Sequence, residues 1–414
     1  HRLLFADFPP EGQPARTVDV PPDREARARL DTWAAAAGTI AVEGVADGPP
    51  TRWTPALESP MPLVAAHFDR RLDADWRRTS YSGLTAALHD GPAASPGVGS
   101  EPEVEGRQDE PAAGSGPVLA IEGGADARSQ RAVASPMADL PAGAAFGTLV
   151  HGVLEEVDTS APDLAAELLA RSAAAVALRL GSVLPATALA AGLLPALDTP
   201  LGPLAGNRRL RDVPPVDRLT ELDFELPLAG GTEPRVADAT LAAVAELLRR
   251  WLAPPDPLAG YAEVLDVPIL RSERLRGYLA GSIDAVLRLR ADAGEPRYLV
   301  VDYKTNWLGG SEPAGAEPLS AWHYRPAALT AEMLRAHYPL QALLYSVALH
   351  RFLRWRQPYY DPGRHLGGVL YLFLRGMCGP ATPVVDGTPC GVFAWLPPAG
   401  LIEELSALLD RGTR

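Results

Sequence analysis

Lysine is nearly missing from this 414-residue sequence: among 38 basic side chains, 37 are arginine and one, Lys304, is lysine. The scarcity excludes a nucleotide-driven motor of the phosphate-loop kind. Such a loop reads G-x-x-x-x-G-K-[ST], with backbone amides and a lysine holding the β and γ phosphates, whereas Lys304 lies in YLVVDYKTNWLGG. Cysteine is as thin. Cys378 and Cys390 are the whole complement, too few for a disulfide framework or a four-thiolate metal or iron–sulfur site, and a reducing cytoplasmic setting is the expectation. No run of about 18 or more uninterrupted apolar residues occurs, so neither a transmembrane helix nor a membrane partner is expected. The opening HRLLFADFPPEG lacks a basic segment leading into an apolar core, as a secretory signal would have. It also lacks an initiator methionine, so a piece of a longer polypeptide or a processed chain is expected.

What is present is the composition of an ordinary globular protein, 47% hydrophobic and 21% charged, long enough for two domains or one large domain with extensions. The net charge of −13 argues mildly against a nonspecific nucleic-acid coat, which carries a basic face. It leaves room for clustered carboxylates that hold cations beside a local arginine path, such as Arg271, Arg274 and Arg276 in RSERLR.

Residues 90–117 are rich in Pro, Gly, Ser and acids without apolar periodicity, so a largely disordered linker is expected over 90–135. Before it, 1–89 holds scattered short elements, with a helix expected at REARARLDTWAAAAG. After it the texture changes, and 136–414 is expected to form the compact domain. Helical spacing predicts helices at FGTLVHGVLEEV, at SAPDLAAELLARSAAAVALRLG (Ser160 as N-cap, Gly181 as stop), over 237–252 and over 338–356. LTELDFELPL alternates as a strand, GYLAGSIDAVLRLR and RYLVVDYKT form a hairpin pattern, and GGVLYLFLRGM reads as a buried strand. Strands and helices mix within one unit, so the class is α/β.

In a strand, residues two apart share a face. Asp302 and Lys304 therefore project together, away from Val301 and Tyr303, and the preceding strand carries Asp284 in an otherwise apolar run. A carboxylate there is costly unless it is paired or bound to a cation. Two such aspartates brought close repel each other, which a divalent ion relieves; oxygen-rich sites of this kind suit Mg²⁺. Lysine fits this place better than arginine because it is a compact, mobile charge whose pKa responds to its surroundings. Gly147 and His151 lie four apart on a helix, where a small residue allows close approach and an imidazole can offer nitrogen to a metal. Gln341 and Tyr345 are likewise four apart, and Glu221 in TELDFE is a third candidate carboxylate.

In order, G-x-x-x-H, a Glu-bearing strand, G-x-I-D, D-Y-K and Q-x-x-x-Y resemble the PD-(D/E)xK nuclease superfamily in its RecB form, over roughly 136–390. The resemblance implies a restriction-endonuclease-like core, a mixed central sheet flanked by helices. It implies that His151, Asp284, Asp302 and the Tyr303 main-chain carbonyl ligate Mg²⁺, with Mn²⁺ as a possible substitute. It further implies that Lys304 is the catalytic lysine, Glu221 an added acid of the site, and Gln341 and Tyr345, with Gly147, supporting residues. The reaction implied is metal-dependent hydrolysis of DNA phosphodiesters in double-strand-break end processing and recombinational repair, with single-stranded or unwound DNA and RecC- and RecD-like subunits as partners. Residues 1–89 resemble, more loosely, the junction between the helicase and nuclease parts of such proteins.

With Lys304 outside any phosphate loop, nuclease chemistry is expected without ATPase or helicase activity from these residues. The rivals are an AddA-type nuclease domain, a non-catalytic module that docks RecC-like partners and DNA ends, and a metal-dependent phosphatase on small substrates, which would want a closed pocket. Iron–sulfur relatives of the Cas4 and AddB kind fall away for want of cysteines. The intact Asp284, Asp302 and Lys304 weigh against a docking role, which would not require them.

Overall fold

The computed structural model describes residues 21–37, 39–44, 48–49, 77–81, 83–84, 133–179, 184–229, 239–271, 274–290, 295–309 and 318–412. Of the linker expected over 90–135, residues 90–132 lie outside the described residues, as does the helix stop at Gly181, while at its end Ala134 bridges Ser320. The chain divides into two units, His1–Asp73 and Ala74–Arg414. In the first, Asp23–Ala37 forms helix α1, as its sequence predicts. Asp23 and Glu25 sit in its first turn, where carboxylates oppose the positive end of the helix dipole.

The second unit is built, among the described residues, on a six-stranded mixed sheet. Its strands are β1 (Arg77–Thr79), β2 (Arg218–Pro227), β3 (Gly277–Leu289), β4 (Arg297–Lys304), β5 (Leu366–Phe373) and β6 (Val392–Trp395). The expected hairpin pairs β3 with β4 antiparallel, from Ala285 opposite Val301 to Leu289 opposite Arg297. β4 and β5 run parallel, and β6 closes antiparallel on β5. Within the segment expected as connector, β1 pairs in parallel with Gly277–Leu279, and Tyr81 donates to the Ala336 carbonyl at 2.6 Å.

β2 runs antiparallel along one whole edge of β3, from Arg218 opposite Leu287 to Pro227 opposite Tyr278. β1 and β4 must therefore share the other edge, β1 at Gly277–Leu279 and β4 from Ala285 onward. Between them no strand among the described residues pairs with this edge. This fork, at residues 280–284 of β3, is the feature that positions the site.

Helices cover both faces. On one lie α5 (Leu241–Trp251), α6 (Pro326–Arg335), α7 (Tyr338–Arg356) and α8 (Ala399–Arg411), packed on Val300, Val369, Tyr371 and Phe373. On the other lie α2 (Ala144–Glu156), α3 (Leu164–Ala177) and α4 (Ala186–Asp198), packed on Leu299, Val301, Tyr303, Leu370 and Leu372. The period-two alternation of β4 and β5 sorts these residues to the two cores. α6 and α7 supply the long crossover that parallel β4 and β5 require. No single helix among the described residues is long and apolar enough to cross a membrane.

Two local expectations shift. Ser160 does not cap α3; its N–H is taken by the Asp158 carboxylate at 2.9 Å in a turn, and Asp163 caps by accepting from Ala166 N–H at 3.0 Å. The helix expected from 237 starts at Leu241, where Thr240 accepts from Ala243 N–H, because Ala239–Thr240 pairs instead with Arg274–Leu275.

Candidate functional site at the sheet fork

β3 changes its pattern at Asp284. Ile283 faces the core under α7, yet Ala285 faces the core under α2, so strict alternation slips by one position there. The partner strand is irregular at the matching point. Thr220 pairs with Ala285 and Leu222 with Ile283, which leaves Glu221 opposite Asp284, and Glu221 has φ 54°. A non-glycine residue at positive φ in mid-strand is uncommon and costs about 1–3 kcal/mol. The Glu221 carboxylate is held by the Ser282 hydroxyl at 3.1 Å.

The Asp284 carboxylate takes over where the β3–β4 ladder ends. Tyr303 N–H donates to its Oδ2 at 2.8 Å, and Nδ1 of His151, reaching from α2, lies 3.2 Å from the same oxygen. Gly147, one turn before His151, is buried in that helix. Burial opposes an imidazolium at His151, but the Asp284 carboxylate, its hydrogen bond and Asp302 outweigh it, so its pKa lies above the ordinary value. Edge-on packing against the Tyr303 ring, 6.2 Å between centroids, fixes the imidazole from the side. The Tyr303 hydroxyl is in turn 3.4 Å from Nη2 of Arg218.

On the other face of β4, Lys304 Nζ lies 2.7 Å from Asp302 Oδ2, and the two side chains are 1% and 3% exposed. Burial, reinforced by the nearby Asp284 carboxylate and only partly offset by Lys304, pushes Asp302 up to about 7. Desolvating two charges costs several kcal/mol per ion, and an apolar pair of the same volume is often as stabilising or more so. Stability therefore does not account for an Asp–Lys pair at this depth. The ammonium also sits 4.3 Å from the Tyr338 ring centroid and 5.6 Å from that of Tyr371.

α7 brings up the remaining predicted residues. Gln341 Nε2 donates to the Tyr345 hydroxyl at 3.1 Å, while its Oε1 accepts from the Tyr371 hydroxyl at 3.0 Å. The Phe224 ring of β2 meets Tyr345 edge-on at 5.8 Å and fills the space where a Cβ on Gly281 would stand, 2.7 Å from Phe224 Cζ. Gly281 is thus required by the close approach of that ring.

The fold therefore gathers His151, Asp284, Tyr303, Asp302 and Lys304 at the fork, with Gln341 and Tyr345 behind them through Tyr371. Glu221 stands opposite Asp284 in register with its carboxylate turned to Ser282. Arg274 is exposed and Arg276 half-buried at the start of β3. Four residues that sequence does not single out join the site: the Tyr338 and Tyr371 rings lie against Lys304, and Asn306, itself bonded to Glu332, holds the Tyr338 hydroxyl. A signal existed for one of them: Asn306 is one of two asparagines in the chain and stands two residues from the single lysine.

Among the described residues no three His, Cys, Asp or Glu side chains converge as a preformed metal cage. The donor chemistry nevertheless fits a hard divalent cation: one imidazole and two buried carboxylates near enough to raise the pKa of Asp302. Mutual repulsion of that kind is what a cation relieves.

A family model described as the PD-(D/E)XK nuclease superfamily matches residues 126–385. Among curated relatives, the RecBCD enzyme subunit RecB of Mycolicibacterium smegmatis is 50% identical over 388 residues, 94% of this chain and 34% of the relative. That of Mycobacterium tuberculosis is 49% identical over 420 residues, 99% of this chain and 36% of the relative. That of Escherichia coli is 31% identical over 344 residues, 82% of this chain and 23% of the relative. The chain spans about a third of the length of the first two.

Proposed function

Because the chain belongs to the PD-(D/E)XK nuclease superfamily and is RecB-like, we propose that it is a metal-dependent deoxyribonuclease whose active site is the sheet fork. The observation that carries this reading is the buried Asp302–Lys304 pair set beside the Asp284–His151 pair. His151, Asp284, Asp302 and the Tyr303 carbonyl would hold Mg²⁺ or Mn²⁺. Such a cation, when bound, lowers the pKa of a water and neutralises charge on the phosphate under attack.

The chain's own groups do the rest. Asp284 is oriented by two donors that meet the same carboxylate oxygen, the Tyr303 N–H and His151. Lys304 supplies a positive charge that needs no reorganisation as negative charge builds on the phosphate oxygens. The Gln341–Tyr345–Tyr371 bonds fix the wall behind it, and Glu221 adds an acid at the bulge. The substrate is single-stranded or unwound DNA, the setting is double-strand-break end processing and recombinational repair, and the partners are RecC- and RecD-like subunits. This setting is supported by the name the relatives carry.

The test is cleavage of labelled single-stranded DNA by the purified chain with Mg²⁺ and without ATP, beside Asp302→Ala and an EDTA control. Cleavage that disappears in both controls supports the reading. An active Asp302→Ala protein, or cleavage indifferent to EDTA, would overturn it.

A further inference from the structure

We propose that Tyr338 is a positioning residue for Lys304, held in place by Asn306 and Glu332; the inference rests on reading Lys304 as the charge that meets the phosphate. The ammonium lies 2.7 Å from the Asp302 carboxylate and 4.3 Å from the centroid of the Tyr338 ring, with the Tyr371 ring farther off at 5.6 Å. A carboxylate shared with a cation holds an ammonium less well. The ring face, whose negative quadrupole attracts a cation without neutralising it, keeps its hold. A lysine stem has many rotamers, so without such a platform the charge would wander from the fork.

The ring is itself fixed. Its face stacks on Tyr371, with centroids 5.6 Å apart and planes 24° apart. Its hydroxyl accepts from Asn306 Nδ2 at 3.0 Å and lies 3.3 Å from Asn306 Oδ1. Asn306, two residues beyond Lys304, also donates from Nδ2 to Glu332 Oε1 at 2.9 Å. Glu332 is 2% exposed on α6 and is gripped by both Nε and Nη2 of Arg335 at 2.6 Å. A buried carboxylate is costly unless satisfied. Here it is satisfied in a way that ties the loop after β4 to α6 and to the first residue of α7. The chain Arg335–Glu332–Asn306–Tyr338 thus sets the ring plane against which Lys304 lies.

The sequence offers a readout independent of cleavage. Lys304 is its only lysine, so the purified chain labelled with ¹³C-lysine gives one lysine side-chain signal in NMR. The Tyr338 ring current should displace the Lys304 Hε resonances upfield, with and without Mg²⁺. Tyr338→Phe should keep the displacement, and Tyr338→Leu should remove most of it, leaving the smaller effect of the more distant Tyr371 ring. In cleavage of single-stranded DNA, Tyr338→Leu is expected to lower kcat by roughly tenfold or more while KM stays within about twofold. Tyr338→Phe should recover kcat to within about threefold, because the ring face remains. Glu332→Gln, which keeps the volume but weakens both Arg335 and Asn306 bonds, should lower kcat by about threefold and broaden the lysine signal.

Wild-type kcat in a folded Tyr338→Leu protein, with Lys304→Met inactive, would overturn the inference and leave the nuclease reading standing. Should Tyr338→Leu not fold, an undisplaced Hε signal in the wild type would overturn it equally. Full cleavage by Lys304→Met would instead remove the reading on which the inference rests.

Discussion

The backbone N–H of Tyr303 donates to the side chain of Asp284 at 2.8 Å, across the point where their two strands part. One carboxylate thereby replaces the ladder bond that β3 can no longer supply and stays aimed at the fork. The arrangement separates shape from charge. Asp284→Asn keeps an acceptor oxygen for Tyr303 but loses the anion, so its melting temperature should lie within a few degrees of wild type while cleavage falls by roughly a hundredfold or more. Asp284→Ala leaves the amide unsatisfied and should cost a further ~1–3 kcal/mol in urea denaturation. Equal stability in the two variants would show that the hydrogen bond has no structural weight.

Lys304→Arg tests why one lysine survives in an arginine-rich chain. The guanidinium keeps the charge but is planar and bulkier, and it would enter a space where the ammonium is 1% exposed against Asp302 and two tyrosine rings. DNA binding without metal should change by less than about threefold, whereas cleavage should drop by about a hundredfold. An active Lys304→Arg enzyme would mean that charge alone suffices.

Much of this site was legible in sequence because it depends on short-range periodicity. D-x-K puts Asp302 and Lys304 on one strand face, H at four residues from Gly147 places His151 on the buried side of α2, and Q-x-x-x-Y orients Gln341 and Tyr345. These follow from strand and helix geometry alone. The fork was not legible. It arises because β1 and β4 share one edge of β3, a pairing between residues about 200 apart that no local pattern encodes. The tyrosine platform was hidden for a related reason: Tyr338 and Tyr371 are 33 positions apart, and only the crossover from β4 to β5 stacks them beneath Lys304. The Ser160 cap failed locally, where the Asp158 side chain competed for the same turn.

Arg375 is a buried cation that donates to several backbone carbonyls. It is 0% exposed, and its guanidinium donates to the carbonyls of Thr305 at 2.8 Å and of Met137 at 2.6 Å, with Leu140 and Pro141 also accepting. The rings of Phe146 and Trp307 lie 5.2 and 5.4 Å away. This one side chain ties the residue after Lys304 to the segment leading into the helix of His151. Lysine cannot span those acceptors, so Arg375→Lys should destabilise the second unit by more than ~3 kcal/mol in chemical denaturation. The loss should be larger than for any exposed arginine, such as Arg356. A variant as stable as wild type would remove Arg375 from the supports of the site.

His350, on α7 beyond the site, should set part of the acid limit of the fold. Its Nδ1 lies 3.0 Å from the Tyr360 hydroxyl, at a cavity also lined by Arg354, Glu403, Asp410 and Arg411. Burial, with the charges of Arg354 and Arg351, lowers its pKa to about 4. A free histidine titrates near 6.5, so between roughly pH 6.5 and 4 the unfolded chain binds a proton that the folded chain refuses. Where the unfolded state holds more protons, stability rises with pH; this contribution is therefore intact above the unfolded value and is lost as pH falls towards 4. His350→Gln has no such proton to bind. Its stability should decline less than that of wild type between pH 7 and pH 5, even if it is lower at pH 7 because the bond to Tyr360 is altered. Parallel stability–pH curves for the two proteins would show that His350 titrates alike in both states and that acid unfolding begins at other groups.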